Sequence, residues 1–158
     1  MAAFTPRQAR RELSGRETQV FMQSFADRIL VLITQMGKVG NLIQATLPAT
    51  ASLLPPTSSA SQSHIVLPEP SPAIELTPLL GSAPSSHLQI LHSLYASQIS
   101  TIIWTEESKH GLESLRRSVV VGLALAKSQT PEIDAAEEER SVFEGVMSLL
   151  YDLIRADV

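Results

Sequence analysis

Four histidines, His64, His87, His92 and His110, and two carboxylate runs, Glu106-Glu107 and Glu137-Glu138-Glu139, are the residues here best suited to chemistry. A metal site needs three or four such ligands to converge, and ligands sharing a helix face stand three or four residues apart. His87 and His92 stand five apart, and the chain has no cysteine to complete a set. The same lack removes a disulfide framework and a thiol nucleophile. Catalytic carboxylates face one another across a cleft, whereas adjacent ones in a turn or helix start are solvated. Gly37-Lys38 matches the end of a phosphate-binding loop. That loop also needs a glycine five residues earlier and Ser or Thr after the lysine, and those positions hold Leu32 and Val39. There is no Gly-x-Ser-x-Gly elbow. The residues therefore predict no enzyme, no cofactor and no metal. Trp104 reads as a core or interface anchor.

Charge narrows the partners. Residues 1–47 carry six basic and three acidic groups, whereas residues 128–158 carry two basic and eight acidic ones. A nucleic-acid binder needs a concentrated basic face. Only Arg7, Arg10, Arg11 and Arg16 approach one, with no aromatic residue among them. No apolar run approaches the roughly 18–20 residues of a membrane span, and no secretory core segment is present. The expectation is a protein that binds proteins, cytoplasmic with the nucleus as a further compartment, and neither nucleic acid nor membrane.

The elements start from Thr18–Leu47. Arg28–Gln35 carries Ile29, Leu30, Val31, Leu32 and Ile33 without a break, so both faces of this strand are apolar and it is central. Gln8–Leu13, Thr18–Phe25 and Asn41–Leu47 read as its companions in an antiparallel meander. Ser14-Gly15, Ala26-Asp27 and Met36–Gly40 form the turns. Eight of ten prolines fall between Pro48 and Pro84. Pro48–Pro72 reads as a long mobile loop, because it has too little apolar surface to offset its ordering entropy. Ala73–Leu80 reads as an edge strand, since Pro78 lacks an amide donor. A helix follows, capped by Ser85 or Ser86, with Leu88, Leu91 and Tyr95 as its stripe. Ser100–Thr105 reads as a strand and Gly111–Lys127 as a second helix. A third helix, starting at Thr130-Pro131 with Phe143, Val146, Met147, Leu150 and Ile154 inward, makes residues 128–158 a C-terminal extension. The sum is one domain over residues 1–158, of class α+β: an antiparallel sheet of about five to six strands with two to three helices on one face.

A two-faced central strand with helices on one side leaves apolar area uncovered. Burying six more side chains is worth roughly 9–18 kcal/mol before association costs. This predicts a dimer through the sheet, with Val20, Met22, Ile29, Val31 and Ile33 at the interface. The other solution is the C-terminal helix folding across that face within one chain.

Thr18-Gln19-Val20, Phe25, Ile29-Leu30-Val31 and the run Thr34 to Gly40 together resemble the proteasome assembly chaperone 3 family. Gly15 fits its preceding turn, Leu79-Leu80-Gly81 its fourth-strand ending, and Gly111 to Arg116 the start of its last helix. The likeness spans residues 8–126. Pro48–Pro72 is longer than the family's loop, and the helix after Thr130 is an addition to the animal pattern, as in a fungal-type member. The resemblance implies a non-catalytic chaperone. It would pair with a proteasome assembly chaperone 4-like subunit or with itself, bind alpha-type subunits of the 20S core, help order the alpha ring, and leave before maturation. Such a role asks for a releasable client surface, and since loops on a rigid scaffold carry recognition, Gln35, Gly37, Lys38 and Gly40, with Pro55 and Pro56, are the candidate client-binding residues. The alternative is a dimeric adaptor or scaffold with another client.

Overall fold

The computed structural model describes residues 5–35, 37–53, 66–111, 116–126 and 132–156. Six strands make one sheet: β1 (Arg7–Leu13), β2 (Arg16–Ser24), β3 (Arg28–Thr34), β4 (Asn41–Thr46), β5 (Glu75–Leu80) and β6 (Ser118–Ala124). Two helices, α1 (Ser86–Lys109) and α2 (Glu132–Arg155), complete the described elements. The strand order is β1-β2-β3-β6-β4-β5. Every pairing is antiparallel except β3 with β6. The α+β class, with helices on one face, holds.

Local chemistry explains the first three strands. Ser14 and Gly15 have φ of 51° and 77°, both left-handed, which suits a two-residue hairpin whose twist matches its strands. The Phe25 amide donates to the Arg28 carbonyl at 2.8 Å, so Ala26-Asp27 forms the next turn. Opposed pairs Val20–Ile33 and Met22–Val31 then align the apolar sets of β2 and β3.

Three expectations need correction. Residues 118–124, expected inside a helix, form β6 at the sheet's centre, between β3 and β4. The run Val119-Val120-Val121 is β-branched and buried on both faces, the signature of a covered inner strand. The meander fails for the same reason, because β4 pairs with β6 and not with β3. Ser100–Thr105, expected as a strand, and Glu106–His110, expected as a turn, instead continue α1 as far as Lys109. Every residue from Gln98 to Trp104 is buried, so no polar face remains to mark the helical period. The Ser100 and Thr101 hydroxyls bond back to the Ala96 and Ser97 carbonyls at 2.6 and 2.7 Å, which satisfies them inside the core.

Both helices pack on one face of the sheet. There α1 lies over β4 and β6, and α2 lies over β1 and β2. Trp104 donates from Nε1 to the Arg117 carbonyl at 2.8 Å, which ties α1 to the start of β6. Helix α2 is no appendage: Val146, Met147, Leu149, Leu150 and Leu153 are at most 5% exposed. Gly145 allows it to sit against Leu13, whose Cδ2 would be 2.5 Å from an added Cβ. Pro48–Pro72 is anchored at both described ends. Arg116 donates to the Pro48 and Ala51 carbonyls at 2.7 Å, and Gln98 donates to the Pro68 carbonyl at 2.8 Å. Pro55 and Pro56, the middle of that loop, and the Thr130-Pro131 helix start lie outside the described residues.

Candidate functional site: the open face of the sheet

Strand parity divides the sheet's side chains into two sets. Val20, Met22, Ile29, Val31 and Ile33, expected at a dimer interface, are at most 3% exposed. They share the helix side with Val119, Val121 and Leu123, which register with Ile29, Val31 and Ile33, and they belong to the chain's own core cluster. A residue already packed under its own helices has no area to offer a partner. This corrects the interface assignment.

The opposite parity faces away from both helices. One row across the sheet runs Phe21–Leu32–Gly122–Leu42, and the next runs Leu30–Val120–Gln44. Gly122 makes the middle of this surface. A Cβ there would meet Leu32 Cδ2 at 2.5 Å and Leu42 Cδ2 at 3.0 Å, so the two leucines close over the glycine; Val120, in the next row, is 6% exposed. Phe21, Leu30, Leu32 and Leu42 are only half-buried, and no described element covers them.

The border of this face is polar. Gln19 donates to Gln8 at 2.6 Å, Arg10 pairs with Glu17 at 3.4 Å, and Arg28 pairs with Asp27 at 3.0 Å. The hydrogen bonds from Arg28 hold the Asp27 carboxyl below its ordinary pKa. An apolar centre inside a hydrogen-bonding border has the anatomy of a protein–protein interface. Phe25, 39% exposed, extends the apolar area past the end of β2.

The Gln35–Gly40 turn separates into locked ends and an exposed tip, whose Lys38 amide donates to Thr34 Oγ1 at 3.1 Å. The Gln35 side chain donates to Thr18 Oγ1 at 3.0 Å and accepts from the Ala126 amide at 2.9 Å. Its expected client contact is thus replaced by a clamp joining β2, β3 and β6. Gly40 is likewise structural, at φ 68° and pressed on the Leu123 backbone. Gly37, Lys38 and Val39 are exposed. The Val39 carbonyl lies 3.0 Å from where a Gly122 Cβ would stand, which puts the tip at the rim of the open face. Sequence reasoning missed Leu32, Leu42 and Gly122 as a unit because β6 was not recognised as a strand.

A second concavity, of about 590 Å³, opens on the helix side at the ends of β3 and β6. His92 stands in its wall, 7% exposed, and its Nδ1 lies 3.2 Å from Asn41 Nδ2. At the mouth His87 Nε2 meets both Glu139 carboxylate oxygens at 2.9 Å. Tyr95 packs edge-on to Phe143 with ring centres 4.9 Å apart, and burial pushes its hydroxyl well above the ordinary phenol range. Among the described residues no three His, Asp or Glu converge as metal ligands.

Burial lowers the His92 pKa, so the fold favours the neutral ring. Below about pH 6.5 the unfolded chain takes up that proton first. The contribution of His92 is therefore complete above that pH and falls as the pH drops toward the depressed folded value. Its slope is at most about 1.4 kcal/mol per pH unit. His92→Gln, which keeps a partner for Asn41, is expected to flatten the stability loss between pH 6.5 and 5 in urea titrations. An unchanged slope would assign the loss to other groups.

No protein-family model matches the chain, and no curated protein sequence does. Among matching solved structures is a crystal structure described as a novel chaperone complex for yeast 20S proteasome assembly. It is 11% identical, the alignment covers 92% of this chain and 98% of that one, and the TM-score is 0.48. The fold assignment rests on the strand order and register given above.

Proposed function

We propose that this chain is a non-catalytic chaperone of 20S proteasome assembly that works as a dimer formed through the open sheet face. The observation that carries the dimer is the uncovered apolar centre built from Phe21, Leu30, Leu32 and Leu42 around Gly122. The assembly role is supported by the resemblance of residues 18–40 to the proteasome assembly chaperone 3 family. On this reading the partner is a chaperone 4-like subunit or a second copy, and the exposed Gly37–Val39 tip offers a contact for alpha-type subunits. The pair acts in the cytoplasm and nucleus and leaves before the particle matures. A rigid sheet dimer with a small, shape-matched and releasable contact meets the mechanical demands of that task. Lys38 adds little energy to such a contact, since exposed ion pairs contribute about 0–1 kcal/mol.

Leu32→Glu tests the reading. Its carboxylate is tolerated in the free monomer, because Leu32 is half-buried, but would be buried and unpaired in the dimer. Association should weaken about 100-fold, with the circular dichroism and melting temperature of the monomer kept. Gentle affinity purification of the tagged chain should recover a small partner and alpha-type subunits with little mature core. The Leu32→Glu chain should lose the partner. Retention of the partner by that variant would remove the sheet face from the interface. Recovery of unrelated proteins by the parent chain would favour the adaptor role.

A further inference from the structure

The concavity on the helix side takes no part in the proposed dimer. Its volume of about 590 Å³ is within the roughly 300–1,000 Å³ of sites that hold a small molecule or an inserted side chain. Leu88 and Leu91 of α1, Leu125 after β6 and Val142 of α2 supply apolar walls. His92 supplies a directed polar atom. With Asn41 Nδ2 as donor to Nδ1, the ring proton sits on Nε2, and Nε2 is a donor with no partner among the described residues.

Charge selects the occupant. Glu138 and Glu139 of α2, the latter also accepting from His87 Nε2 at 2.9 Å, line the cleft with Arg16 of β2, and Asp134 and Glu137 add carboxylates on the adjoining turn of α2, outside the lining. Two helix N-termini also approach the cleft, each worth about half a positive charge. The carboxylates in the early turns of α2 more than offset its own.

We infer that this cleft binds an amphipathic cation: an apolar or aromatic group between α1 and α2, with its ammonium or guanidinium at the Glu138–Glu139 mouth. A protein segment with a Lys or Arg beside a large apolar residue presents that chemistry, and its backbone carbonyl suits the His92 donor. The inference does not depend on the assembly reading, because the cleft and the open sheet face lie on opposite sides of the sheet.

Three probes of one shape separate the contributions: tryptamine, neutral tryptophol and anionic indole-3-acetate. Each is titrated into the full chain while the His92 and Tyr95 ring resonances are followed by NMR. Tryptamine should shift both saturably and bind about three- to fivefold tighter than tryptophol, with indole-3-acetate weakest. Glu139→Gln should bring tryptamine and tryptophol within about twofold. Ala136→Trp, at an exposed lining position, should abolish the shifts. Leu32→Glu should leave them unchanged, so that failure here and failure of the dimer are read separately. Absence of shifts at both rings, equal affinity for the three probes, or tightest binding of the anion would each overturn the inference. That ranking in the parent chain decides the matter even if Ala136→Trp impairs folding.

Discussion

A chain ended at Ala126 is expected to lose its cooperative melting transition altogether. Helix α2 inserts Val146, Met147, Leu149, Leu150, Tyr151 and Leu153 into the core, each at most 7% exposed. At about 1.5–3 kcal/mol per buried side chain, their loss removes roughly 9–18 kcal/mol, as much as the whole stability of an ordinary domain. Polar ties go with them. Arg7 donates to the Leu153 carbonyl at 3.0 Å, and Arg11 pairs with Asp152 at 2.9 Å. Circular dichroism against temperature checks this. A truncated chain that melts cooperatively near the parent's midpoint would return α2 to the status of an appendage.

Gly40→Ala is expected to destabilise the fold by about 3 kcal/mol, or roughly 6–12 °C in melting temperature for a chain of this size. Two costs combine there. The residue sits at φ 68°, where a Cβ is strained. That Cβ would also overlap the carbonyl oxygen of Leu123. The obstacle is the backbone of a central strand, which cannot rotate away as a side chain can. Gly37→Ala is the matched control. It shares the left-handed conformation, at φ 66°, but nothing lies within 4 Å of its Cβ, so it should show the conformational cost alone, about 1 kcal/mol. Equal losses in the two variants would mean that the contact with β6 yields easily.

Much of the sheet was legible because β3 is an unbroken apolar run, β2 is rich in β-branched and aromatic residues, and their turns are local. The position of β6 was not, for two reasons. Val119, Gly122, Leu123 and Ala126 fall at helical spacing by coincidence, and nothing local tells a strand to insert between two others seventy to ninety residues upstream. The second half of α1 misled in the opposite sense. Ile102 and Ile103 favour strands, but a helix enclosed on every side loses its period and is judged by composition alone. The site was half legible. Parity correctly separated the side chains of β3 into two sets, but not which set met the helices. The companion strand held a usable signal. In β2, Val20 and Met22 form an unbroken apolar set, whereas Phe21 alternates with Gln19 and Gln23. Glutamines are tolerated at an outer face and costly in a core, which assigns the Phe21 set to the outside.

The insertion of β6 also sets a timetable for synthesis. As the chain emerges, β1, β2 and β3 can pair in succession, and β4 and β5 can pair with each other, but the two groups lack their shared neighbour. From Thr46 to Ser118 a translating ribosome needs about 4–14 s at roughly 5–20 residues per second. During that interval β3 and β4 each present an unpaired hydrogen-bonding edge, the state most exposed to wrong pairing. Arrival of Val119–Leu123 closes both edges at once, and only then do Leu32 and Leu42 meet over Gly122. The open face of the sheet is therefore finished only when β6 arrives. In the proposed dimer, recruitment of a partner through that face follows the arrival of β6.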